Sequence, residues 1–321
     1  MAELINFHFE GGLSDEHRMN FYEAARFQYA AARLLVKLSQ FRQTGAFKQK
    51  IFPASNPNIQ LSTQADGSFN INIVDEEKKA DGKKTFVKMS LAELVAFVTE
   101  PLVEKIDETE VEDNFTGPVD DSGSQIPTID SEAMLVLNEI MDIEAVDDER
   151  IELVKRRVAE LNREKILARA EPVARKIDDA RGRKLMAMAA PLVSEMSIAL
   201  RESASTLEIR SGDGASARPI FYLNKKMASE IETAAIDKEP FALLGDIEQF
   251  NKNNGWGKIK YEDGAKIRSF QIPYQLLPTL KQRILDAMKK DLVNLKVHAV
   301  RNPADEVIRL IAVDILATPP R

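Results

Sequence analysis

Residues 255–261 read Gly-Trp-Gly-Lys-Ile-Lys-Tyr. Successive side chains of a strand point to opposite faces, so Gly257, Ile259 and Tyr261 fall on one side and Trp256, Lys258 and Lys260 on the other. The first side is small and apolar, as a core requires; the second pairs an indole with two ammonium groups. Outward from this stretch, residues 241–250, 267–272, 292–300 and 307–316 carry further strand signals, and 274–288 read as a helix. Three strands, a helix and two strands is the order of a small OB-like five-stranded β-barrel, and 241–321 is a natural length for one.

Trp256 is the only tryptophan in the chain. An aromatic ring among lysines is the combination with which single-stranded nucleic acid is held, a base stacking on the ring while ammonium groups neutralise phosphates. Arg268 on the next strand and Lys296 and His298 on the fourth extend this candidate patch. The competing reading is structural: lysines keep strands soluble, and a lone tryptophan packs or anchors a partner.

The N-terminal residues predict an α+β module over 1–106. Ile5, Phe7 and Phe9 alternate with Asn6, His8 and Glu10 as in a half-buried strand, and Gly11-Gly12 turns the chain. Ser14 is placed to cap a long amphipathic helix carrying Phe21, Ala24, Ala31, Leu34, Leu35, Leu38 and Phe41, which ends at Thr44-Gly45. Ile59, Leu61 and Thr63, then Asp66-Gly67, then Phe69, Ile71 and Ile73, read as a hairpin. A short strand is expected at 85–89, followed by a helix whose Ser90 and Glu93 have capping-box spacing. On the long helix, Arg18, Tyr22, Arg26, Tyr29, Arg33 and Lys37 recur at spacings of three and four and form a second candidate surface, a partner stripe for an anionic macromolecule. Its bland reading is an exposed basic face with tyrosines at the core margin.

The formal charge of −7 is uneven. Residues 101–150 hold sixteen acidic and two basic residues, 150–184 hold twelve basic and six acidic, and 241–321 hold thirteen basic and nine acidic. Within the acidic stretch, 107–130 read as a linker rich in Asp, Glu, Gly, Pro and Ser. Residues 131–205 read as a helical region divided near Pro172 and Arg181-Gly182-Arg183, able to pack on itself or on a partner. Residues 206–240 read as a connecting segment with short strands at 207–210 and 220–223.

Composition removes much chemistry. There is no cysteine, hence no disulfide, thiolate ligand or cysteine nucleophile, and the three histidines, His8, His17 and His298, supply a metal centre poorly. No phosphate-binding Gly-rich loop, nucleophile elbow or His-Glu-x-x-His motif occurs. The reading expects no catalytic residue, cofactor or metal ligand. No apolar run reaches the roughly 20 residues of a membrane span, and the first residues lack a basic region followed by an apolar stretch, so a cytoplasmic location is the expectation. Asp15, His17 and Glu23 are the only clustered candidates for an alternative metal-dependent hydrolase or nucleotide-processing enzyme.

Both ends carry segments that point to a family: Phe9-Glu10-Gly11-Gly12-Leu13-Ser14-Asp15-Glu16-His17, Tyr22-Glu23-Ala24-Ala25, Thr44-Gly45, Gly67-Ser68-Phe69, Gly245-Asp246-Ile247, Phe250-Asn251 and Gly255-Trp256-Gly257-Lys258-Ile259. In these the chain resembles a family of uncharacterised bacterial proteins pairing an N-terminal α+β module with a C-terminal five-stranded barrel. Glu10 stands where that motif carries aspartate. The resemblance implies architecture first, and second a role in bacterial anti-phage defence. The expected function is a non-enzymatic adaptor or sensor subunit that binds another protein, with single-stranded nucleic acid as the other partner class. A structural subunit that self-associates through the central helices is the remaining alternative.

Overall fold

The computed structural model describes residues 3–47, 50–51, 59–62, 70–75, 85–105, 148–212, 217–233, 235–237, 239–261, 266–290, 292–301 and 307–317. The acidic linker expected at 107–130, the start of the helical region and the hairpin turn at 63–69 lie outside them. The fold is α+β: an antiparallel sheet with helices, a helical middle, and a closed barrel.

The sheet runs β2-β3-β1-β4-β5, from β1 (Glu3–Glu10), β2 (Ile59–Ser62), β3 (Asn70–Asp75), β4 (Thr206–Ser211) and β5 (Arg218–Asn224). The β2–β3 pairing is the expected hairpin, with Leu61 opposite Ile73. The short strands expected at 207–210 and 220–223 are β4 and β5, and they join this sheet, Phe7 of the central β1 facing Ile71 on one side and Ile209 on the other. Helix α1 (Phe21–Thr44) is capped by Asn20, whose side chain accepts from the Tyr22 and Glu23 amides. Ser14, expected as that cap, sits in a preceding 3-10 turn and donates to the Gly11 carbonyl. Gly45 ends the helix at φ 69°, the left-handed conformation that glycine adopts without steric cost. Residues 85–89 are irregular rather than a strand, Val87 donating to the Arg42 carbonyl beyond the regular ladder. Helix α2 (Leu91–Thr99) carries the reciprocal Ser90–Glu93 cap that its spacing predicts.

The central helices, α3 (Asp148–Ala174) and α4 (Asp179–Met196), are divided at 175–178, not at Gly182, which lies inside α4; Asp178 caps α4 through the Arg181 amide. Ala159, Leu167, Leu185, Ala189 and Val193 join Phe7, Phe9, Phe27 and Leu34 in one core. Much of the helices' apolar surface is thus used within the chain.

Helix α5 (Lys225–Thr233) leads to the barrel: β6 (Ala235–Ile236), β7 (Phe241–Phe250), β8 (Trp256–Tyr261), β9 (Lys266–Gln271), α6 (Leu277–Ala287), β10 (Val293–Arg301) and β11 (Val307–Leu316). The order β7-β8-β9-β11-β10 closes because β10 pairs with β7, and the β9–β11 pair is parallel while the others are antiparallel. Ile259, Tyr261, Phe270, Leu295 and Val297 fill a separate core. Among the described residues no helix is long and apolar enough to cross a membrane.

Candidate functional site

The barrel places its outward indole under the rest of the chain. The alternation along β8 holds: Ile259 and Tyr261 enter the core, and Trp256, Lys258 and Lys260 face away from it. Trp256 is nevertheless only 6% exposed, and among the described residues its Nε1 has no hydrogen-bond partner. Its neighbours across the β8–β9 ladder explain this. Trp256 lies opposite Gln271 and Lys258 opposite Ser269; Gln271 Nε2 donates to Glu100 Oε1 at 3.2 Å and Ser269 Oγ to Glu104 Oε1 at 2.6 Å. The segment after α2 therefore covers the face that the sequence left open, and an indole so covered offers no base a stacking surface.

The other members of the expected patch separate. Lys258 Nζ lies 5.5 Å from the Trp256 ring centroid, a cation–π contact. Lys260 faces Glu248 at 3.8 Å. Arg268 stands opposite Ile259, hence on the other face of the ladder, and its guanidinium donates to the Val307 and Ile267 carbonyls. Lys296 pairs with Ala242 at the start of β7, whereas Trp256 lies beside the Gly257–Phe250 pair at its far end. His298 is buried, its Nδ1 2.9 Å from the Asp237 carbonyl.

The α1 stripe is assembled more completely. Phe21 is 90% exposed, and Tyr22 and Tyr29 60% each. Arg26 donates to the Tyr22 hydroxyl and pairs with Glu195 of α4 at 2.8 Å; the Arg33 guanidinium lies 5.3 Å from the Tyr29 ring. Arg18 precedes the helix, paired with Glu16, and is not part of the stripe. At its C-terminal side the stripe opens into a groove of about 440 Å³ between α1 and α4, with Arg33, Lys37 and Lys184 as its cations, Glu195 as its carboxylate, and Met188 and Leu192 among its apolar walls. Burial and then the Arg33 charge hold the Lys37 ammonium below its ordinary pKa. Among the described residues, neither Lys37 nor Lys184 has an ion-pair partner.

The clustered candidates for catalysis do not converge. Asp15 accepts from the Gly11 amide at 2.7 Å, Glu23 accepts the Ser203 amide at 3.0 Å and its hydroxyl, and His17 is an exposed left-handed residue at φ 56°. Each holds the turn after β1 or its packing on 203–205. His8 Nε2 lies 2.9 Å from Glu10 Oε1; that bond, opposed by burial and joined by Lys155, holds the Glu10 carboxyl at about 2.

Sequence reasoning missed two features. Glu100, Lys105, Arg157, Glu160 and Arg163 form a buried charge network between the N-terminal unit and the barrel. Arg309 is the other, and it had a signal: a guanidinium within the apolar run Val307-Ile308-Arg309-Leu310-Ile311. No family model, curated protein or solved structure matches the chain.

Proposed function

We propose that the protein is a non-catalytic adaptor or sensor subunit that holds a macromolecular partner along α1, the partner being an acidic segment of another protein. The observation that carries this reading is the row of exposed rings, Phe21, Tyr22 and Tyr29, interleaved with Arg26 and Arg33 and running into a groove whose Lys37 and Lys184 have no ion-pair partner among the described residues. Aromatic and arginine side chains together on an exposed face are the composition of binding hot spots, and exposed rings grouped along one helix face, unlike rings scattered singly, mark an interaction surface. The apolar walls of the groove suit an anchoring side chain, and Lys37 and Lys184 suit carboxylates around it. Burial of Trp256 counts against the barrel as the place where bases stack. Membership of an anti-phage system rests on the resemblance of the end segments alone.

Fluorescence anisotropy with labelled acidic peptides carrying one leucine or phenylalanine, and in parallel with a single-stranded oligonucleotide, tests the reading. Peptide binding weakened about tenfold or more by Tyr29→Ala or by joint Arg33→Glu and Lys37→Glu supports it. Oligonucleotide binding lost in the same variants, with no peptide binding, replaces the protein partner by nucleic acid. Binding unaffected by these changes removes α1 from the function.

A further inference from the structure

Where the segment after α2 meets the barrel, the covering is incomplete. A cleft of about 450 Å³ remains, walled by Leu102, Val103 and Glu104 on one side, Met227 and Ile231 of α5 on another, and barrel strands β8, β9 and β11 on the third. The volume falls within the range of small-molecule sites, which runs from roughly 300 to 1,000 Å³. Arg309 lines this cleft, 9% exposed, and among the described residues its Nε has no hydrogen-bond partner. Among the described residues it makes no ion pair.

A guanidinium drawn largely out of water with a buried donor left unmet is an expensive arrangement, because its lost hydration is normally returned by a carboxylate or carbonyl at hydrogen-bond distance. Burial pulls Arg309 down to about 10, and Glu104 and Glu230 oppose that pull through space without bonding to it. Glu104 is already committed to the Ser269 hydroxyl. Five N–H donors in a planar fork match the oxygens of a carboxylate or phosphate. A second cation, Lys258, lines the same cleft, held over the Trp256 ring. The apolar walls leave room for the body of a molecule whose charge sits at the arginine.

We infer that this cleft binds the oxyanion of a small phosphorylated or carboxylated molecule, up to about mononucleotide size, with Arg309 as its counter-ion and Lys258 beside it. The inference does not depend on the α1 reading. Because the walls come from both the N-terminal unit and the barrel, a bound anion adds contacts across their junction and stabilises the docked arrangement by mass action.

Calorimetry and thermal denaturation of the full chain with inorganic phosphate, adenosine 5′-monophosphate and succinate, each against chloride at equal ionic strength, test it. The expected result is saturable binding of at least one of the three and a raised melting temperature, with affinity reduced about tenfold or more in Arg309→Met and less in Arg309→Lys. Arg309→Met removes a buried unpaired charge at similar volume, so the fold should survive; if it does not, Arg309→Lys carries the comparison. Lys296→Ala, remote from the cleft, should bind as the parent does. The monophosphate exceeding phosphate identifies a nucleotide-like body, and succinate exceeding both identifies a carboxylate. No binding of any of the three up to about 10 mM, or binding unchanged by both Arg309 substitutions, overturns the inference. Binding of an oligonucleotide alone overturns it as well.

Discussion

Lys105 Nζ lies 2.6 Å from Glu100 Oε1, both side chains almost fully withdrawn from water. The same lysine reaches Glu164 at 2.9 Å and the Asn254 carbonyl at 3.3 Å; Glu100 Oε1 also accepts from Gln271, and its other oxygen, Oε2, accepts from Arg163. Two residues from the end of one unit thereby bond to both the central helix α3 and the barrel.

Removing one member of this pair strands the other in a low dielectric. Lys105→Met and Glu100→Leu should each cost about 3–5 kcal/mol. The double substitution should cost less than the sum, because it leaves neither charge alone in the pair. Urea unfolding of the four proteins, analysed as a double-mutant cycle, measures this; additive effects would mean that the two residues are not energetically coupled.

The network fixes a pH response. Burial pushes the Glu100 carboxyl up, but Lys105 and Arg163 outweigh it and hold it at about 2, against an ordinary value of 4.5. Glu10 is likewise held at about 2 by His8 and Lys155. A depressed carboxyl contributes stability in full above its unfolded value and loses it as pH falls toward the folded one, so the urea midpoint should drop between pH 4.5 and 2. Glu160, pushed up by burial, acts in the opposite sense: its contribution is greatest in acid and declines as pH rises through its elevated value. Glu10→Gln should flatten the acid limb; a limb of unchanged slope would remove Glu10 from it.

Trp256 makes the junction visible. As the only tryptophan, and a buried one, it should emit as an indole in an apolar environment and resist quenching by acrylamide. Loosening the junction through Lys105→Met should shift emission to the red before the helical signal is lost. Trp256→Phe removes a buried N–H without a partner and should cost far less than Trp256→Ala, for which about 3–5 kcal/mol is expected. An emission maximum typical of water in the parent protein would contradict the covered position.

Two glycines are required for different reasons. Gly11 has φ +81°, and a Cβ there would lie 2.5 Å from the Ser205 side chain, so the turn after β1 admits no side chain. Gly257 sits in β8 opposite Phe270, and a Cβ would meet the Gln249 carbonyl and the Phe270 ring at 2.5 Å each. Gly11→Ala and Gly257→Ala should each destabilise by about 1–3 kcal/mol, measured by urea midpoint. The first acts through the sheet and the second through the barrel core.

Much of the barrel was legible because its signals are local. The period of two selects Ile259 and Tyr261 for the core, the turn residues separate the strands, and the order of elements restricts how five strands can close. The Ser90–Glu93 cap and the Gly45 stop were legible for the same reason, each being settled within one helical turn. The membership of β4 and β5 in the N-terminal sheet was not, since Phe7 and Ile209 are brought together across two hundred residues of intervening chain whose pattern says nothing of their pairing.

The sequence alone determined which way each side chain of β8 points: Trp256, Lys258 and Lys260 do face away from the barrel core. Only the tertiary structure decided what lies beyond that face. Alternation reports the side of a strand, whereas exposure depends on what docks against it, and here the Glu100–Lys105 stretch covers the indole. That docking replaces an expected stacking surface with a buried ring and leaves the Arg309 cleft beside it.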